Sequence, residues 1–115
     1  MSRRLRRVRS LIAEFNRDLD VLLSPTVATV APPLGHLGAD VAYEPLLERI
    51  AAWMPYTPLA NAGGTPSITV PMGFDDETHL PVGAMLSGNF GADALLVQLA
   101  LELEEARPWD LAVLC

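Results

Sequence analysis

The chain has 115 residues, half of them apolar, with a mean hydropathy of +0.28 and a formal net charge of −6. That length holds one domain at most, and a chain of this size folding alone buries only about two-thirds of the surface it exposes when unfolded. No apolar stretch approaches the roughly 20 residues that cross a bilayer, and a single cysteine, Cys115, excludes a disulfide framework or a Cys-rich metal site within one chain.

All eight basic residues are arginines, and six of them (Arg3, Arg4, Arg6, Arg7, Arg9, Arg17) fall in the first 17 positions. From Asp40 onward, eleven acids face only Arg49 and Arg107. No apolar run of about 7–15 residues follows the arginines as a secretory signal requires, so a cytoplasmic protein is expected. The arginines alternate with Leu5, Val8, Leu11, Ile12 and Phe15 at spacings of three and four, which places one apolar stripe on a helix over 2–18. An arginine-rich head can bind phosphate backbones, but this interleaving fits the solvated face of a docked helix better. Neither nucleic acid nor membrane is expected as a partner.

Asp20 to Leu23 reads as a short buried strand stopped by Ser24-Pro25. Residues 25–40, with Pro25, Pro32, Pro33, Gly35 and Gly38, read as a long ordered loop and a candidate pocket wall. A helix is expected over 42–54, ended before Pro55. Pro58, Gly63, Gly64 and Pro66 then punctuate a tight segment in which Asn61 is expected to bond backbone at the Gly63-Gly64 turn. Ser67 to Val70 and Val82 to Leu86 read as strands, with a solvated turn at 75–79 between them. The last helix, 92–106, has so wide an apolar surface that only Gln98, Glu102 and Glu105 form a polar stripe, which predicts burial on most sides. A chain this short offers little to bury it, so a partner chain, a homo-oligomer or further chain is expected against that helix. Neither an internal repeat nor a second domain is evident.

In order, Pro25-Thr26, Ala31-Pro32-Pro33, Asn61 to Pro66 with the strand and Pro71-Met72-Gly73 behind it, Leu80-Pro81-Val82-Gly83, Gly91 with Asp93, and Pro108-Trp109 resemble the C-terminal region of amidase-signature enzymes. The likeness covers residues 5–109. Pro55 to Asn61 further resembles the subgroup that includes hydrolases of cyclic aminohexanoate dimers. The resemblance implies an α/β fold: a partial mixed sheet with flanking helices, forming the C-terminal part of an α/β/α sandwich, with residues 1–115 an incomplete portion of one amidase domain. It also implies hydrolysis of an amide C–N bond in a small-molecule substrate by a serine, a second serine in a cis peptide and a lysine, with no cofactor.

The sequence departs from that pattern where it matters most, because it contains no lysine and no Gly/Ser-rich signature run. A hydroxyl is a poor nucleophile until a positioned base takes its proton, so no catalytic residue is assigned and the chain alone is expected to be inactive. Ser24 with His36 is the available Ser–His pair, but a hydroxyl beside a proline at a strand end commonly bonds local backbone. Glu104 and Glu105 are helix neighbours that point apart, and no histidine pair has a metal-ligand spacing. Pro33, His36, Tyr56, Thr57 and Asn61 are the candidate substrate-wall residues. Trp53 and Trp109 read as packing residues. A stand-alone protein-interaction module derived from the same fold is the alternative reading.

Overall fold

A computed structural model of the chain describes residues 3–109. Helix α1 (Arg3–Phe15) runs into a 3-10 turn at Asn16–Asp18 and strand β1 (Val21–Pro25). The irregular segment 26–42 leads to α2 (Tyr43–Trp53) and α3 (Thr57–Gly63), followed by β2 (Ser67–Phe74), β3 (Pro81–Gly88) and α4 (Asp93–Ala106). The elements expected at 2–18, 20–23, 42–54, 67–70, 82–86 and 92–106 are all present.

The strands form one sheet in the order β1-β3-β2, and both pairs are antiparallel. The short polar connection between β2 and β3 permits nothing else, since parallel neighbours need a long crossover. The parallel component expected of a mixed sheet is therefore not carried by these three strands. Leu23 and Ile68 both stand opposite Leu86, while Ser24 and Thr69 both stand opposite Met85. Side chains alternate along a strand, so one face carries Leu23, Leu86, Ala84, Ile68 and Val70, and the other carries Leu22, Ser24, Met85, Ser87 and Thr69.

Helix α4 packs on the first face against β2 and β3, where Val70, Leu86, Leu96 and Ala100 are buried. Gly88 makes this approach close, because a Cβ there would lie 2.6 Å from the Cβ of Ala92. On the second face, Ile12, Phe15, Tyr56 and Leu59 of the α1 and α3 region enclose Met85 and Leu22. The result is a helix–sheet–helix sandwich of three layers.

Two expectations need correction. The tight segment after Pro55 is a helix: Pro58 sits in its first turn, where no N–H is needed, and Gly64 ends it in the left-handed region at φ 68°. The strand read at Ser67 to Val70 is also longer than expected, because β2 continues through Pro71-Met72-Gly73 to Phe74 with a bulge between Pro71 and Gly73. An edge strand tolerates both, since its outer N–H groups have no ladder partner.

Within this chain α4 is covered on one side. Only Leu96 and Ala100 are buried, and Leu95, Val97, Leu101 and Leu103 remain exposed. The sheet meets one side of the helix, and no other described element covers the rest.

Candidate functional site

Segment 26–42 is tied down by backbone bonds at its start and by an arginine side chain further along. Thr26 N–H donates to Gly83 O at 3.1 Å, Ala28 N–H donates to Trp53 O at 2.9 Å, and further along Arg49 Nη1 donates to His36 O at 2.8 Å. These bonds tie α2 to the loop and form a groove of about 340 Å³ that includes Pro32, His36, Arg49 and Trp53. His36 is exposed at its rim, and neighbouring Pro33 is exposed outside its lining. The buried indole Nε1 of Trp53 has no hydrogen-bond partner among the described residues.

Tyr56 lies elsewhere. It lines a cavity of about 100 Å³ between the sheet and the α1 and α3 side, with Ile12, Leu22, Ser24 and Met85. Thr57 is half-buried at the first position of α3 and Asn61 is exposed on that helix; neither lines either space. No hydrogen bond from Asn61 to the Gly63-Gly64 turn exists among the described residues. Instead Gly64 N–H and Thr65 N–H both donate to Ala60 O, at 2.8 and 3.2 Å, and Arg9 Nε donates to Gly63 O at 3.1 Å. The five candidates therefore fall into two patches, with Pro33 and His36 on the loop and Tyr56, Thr57 and Asn61 at α3.

Among the described residues no serine or threonine hydroxyl is hydrogen-bonded to a histidine. Ser24 Oγ donates to Pro25 O at 3.1 Å, as its position at a strand end suggests, and Ser67 Oγ lies 2.8 Å from Ser87 Oγ across the sheet. His79 occupies the β2–β3 turn with φ 56° and is exposed. No group of three or more His, Cys, Asp or Glu side chains gathers to hold a metal ion among the described residues.

Sequence reasoning missed a junction at the far end of the sheet. Thr26 Oγ1 donates to Thr69 Oγ1 at 3.3 Å, and a Cβ on Gly83 would lie 2.9 Å from Thr69 Cγ2 and 3.0 Å from Thr26 Oγ1. Pro25-Thr26, the strand Ser67 to Val70 and Leu80 to Gly83, three separate pieces of the ordered set, thus meet in space. Beside them lies a groove of about 570 Å³ lined by Pro25, Val27, Met72, Asp75 and Val82 among others. Asp75 accepts from the Thr78 hydroxyl at 2.7 Å and from Thr78 N–H at 2.8 Å, and these two bonds hold its carboxyl below the usual carboxylate range. The signal was present in the sequence as Thr26, Thr69 and Gly83, but only the β1-β3-β2 order makes them neighbours.

The same three pieces lie within the part of the chain, residues 1–97, that matches the family model described as Amidase. The chain belongs to the amidase family. It is 44% identical to AmiC of Mycobacterium leprae over 106 residues, which are 92% of this chain and 22% of that protein. It is 36% identical to the acylamidase of Rhodococcus erythropolis over 99 residues, or 83% of this chain and 20% of that one. Among solved structures, 6-aminohexanoate cyclic dimer hydrolase superposes with a TM-score of 0.77 at 27% identity, over 91% of this chain and 23% of that chain. The glutamyl-tRNA(Gln) amidotransferase chain of Thermotoga maritima superposes with a TM-score of 0.71 at 28% identity, over 92% and 22% respectively. The chain thus spans about a fifth of the length of the relatives it matches. No helix among the described residues is long and apolar enough to cross a membrane.

Proposed function

We propose that this chain serves the hydrolysis of an amide C–N bond as the C-terminal portion of one amidase domain. The attacking serine, its partner serine and the lysine base belong to a portion of the fold outside these residues, and the chain alone turns over no amide. The observation that carries this reading is the pairing of a family match over residues 1–97 with a sequence that has no lysine. Chemistry supports it too. A serine hydroxyl needs a positioned base, and Ser24 is bonded locally while His36 lies on a separate groove.

Within this reading, Pro33 and His36 on the loop and Tyr56, Thr57 and Asn61 at α3 contribute to the wall around the acyl part of a small-molecule amide. Support comes from where they sit: an exposed loop and a helix start displayed by a rigid sheet are the positions that binding residues commonly occupy.

A fluorophosphonate reagent that reacts with activated serines tests the division of labour. The expected result is no adduct on this chain, alone or mixed with the rest of an amidase fold, and an adduct on the complementing portion in the mixture. An adduct on Ser24, Ser67 or Ser87 would refute the assignment.

A further inference from the structure

Part of the loop 26–42 is shaped by a turn that its own residues dictate. Pro33, Leu34, Gly35 and His36 form a four-residue turn in which His36 N–H donates to Pro33 O at 3.1 Å, with Gly35 in third place at φ 87°. A turn with positive φ at its third residue selects glycine there, which reaches that conformation without steric cost. The turn holds out the carbonyl of His36, and Arg49 Nη1 on α2 donates to it at 2.8 Å. One bond thus anchors a planar fork of five N–H donors. Arg49 makes no other hydrogen bond among the described residues.

The charge on that fork is uncompensated. From Asp40 onward eleven acids face two arginines, yet no carboxylate lies within ion-pair distance of Arg49 among the described residues. The helix explains why: its neighbours three and four positions away are Leu46, Pro45, Ala52 and Trp53, none of them acidic. Arg49 is half-buried, and a guanidinium held in place and partly withdrawn from water is a strong, directional receptor for a carboxylate. Beside it, Pro32, Ala52 and Trp53 line the groove of about 340 Å³. Small-molecule sites are commonly built this way, from an apolar lining with one or two placed polar groups in about 300–1,000 Å³. Glu48 is exposed on the same lining. Its negative charge favours a ligand with a single anionic group over a polyanion.

We infer that the groove between the loop and α2 is a subsite for a small ligand with an apolar body and one carboxylate, the carboxylate on the Arg49 fork and the body against Trp53, Pro32 and Ala52. In a complete amidase domain this subsite selects amides whose acyl part ends in a carboxylate. That second step rests on the reading of the chain as a portion of such a domain; the subsite itself does not.

The test is an NMR titration of the full chain with hexanoate and with hexanamide, its neutral counterpart. Hexanoate is expected to shift the signals of His36, Arg49 and the Trp53 indole N–H saturably, and hexanamide to bind at least tenfold more weakly. R49M should weaken hexanoate binding at least tenfold, and E48Q should strengthen it about twofold, because it removes the competing negative charge. Should R49M fail to fold, salt carries the test: raising it from about 20 to about 500 mM should weaken hexanoate binding at least threefold and leave hexanamide unchanged. Equal affinity for the two compounds, no saturable binding of hexanoate, or shifts confined to the Tyr56 cavity would each overturn the inference. Hexanoate binding as expected, by a chain that hydrolyses no amide when joined to the rest of an amidase fold, would leave the subsite standing and count only against the catalytic reading.

Discussion

Arg9 Nε donates to the carbonyl oxygen of Gly63 at 3.1 Å, and its guanidinium lies where a side chain on Gly64 would have to go. The first helix of the chain thus caps the end of the third. A cation at a helix C-terminus satisfies a carbonyl and complements the dipole. R9M keeps the aliphatic stem and removes the cap, so it should destabilise the chain by about 1–2 kcal/mol, a loss typical of a partly buried charged hydrogen bond. Urea midpoints followed by far-UV circular dichroism check this, and an unchanged midpoint would count against the cap.

Gly64 and His79 make an informative pair because both adopt positive φ, 68° and 56°. A Cβ on Gly64 would meet only the movable end of the Arg9 side chain, and His79 already carries one. G64A should cost about 1–3 kcal/mol, from left-handed strain and displacement of Arg9. H79G should stabilise by up to about 1 kcal/mol, since glycine reaches that conformation without the penalty. Thermal melts of the two variants should move in opposite directions.

Gly88 and Ala92 set the distance between β3 and α4. G88A should destabilise by about 1–3 kcal/mol through overpacking. Adding A92G should recover much of that loss, because the Cβ it deletes is the one the new methyl meets at 2.6 Å. A double-mutant cycle measures the coupling, which should be at least about 0.5 kcal/mol for residues in contact. Strict additivity would show that the close approach lies elsewhere.

The β2–β3 turn has a defined pH response. The Asp75 carboxyl is held low, first by the Thr78 hydroxyl and then by Thr78 N–H. A depressed folded value means that the turn's contribution is complete above the ordinary aspartate value of about 3.9. It is lost as pH falls through the lower folded value. T78V should raise the Asp75 titration toward the ordinary range, and NMR titration of the carboxyl carbon reads this directly. No shift in the variant would assign the low value to some other cause.

Much of this fold was legible because strong local signals agree with it. The three-and-four spacing of Leu5, Val8, Ile12 and Phe15 gives α1, and the β-branched run Ile68-Thr69-Val70 between prolines gives most of β2. Helix α3 was missed because Pro58, Gly63 and Gly64 read as breakers, although a proline just inside and a glycine just past a short helix are also its start and stop marks. The exposure of α4 could not be read from periodicity, which tells how wide an apolar surface is but not whether anything covers it. Where the candidate residues sit was not legible. His36 and Tyr56 border separate cavities, and their separation depends on how α2 and the loop 26–42 fold back. The Thr26–Thr69–Gly83 junction depends on strand order, which local sequence does not encode.

The decisive measurement is the initial rate of hydrolysis of a small acyl anilide, read as released aniline. It is made with the purified chain and with the same chain combined with the rest of an amidase fold. The account predicts no rate above the buffer blank for the chain and turnover that rises with the amount of complex in the mixture. Turnover by the chain alone, or a mixture that forms the complex and still leaves every amide intact, would contradict it.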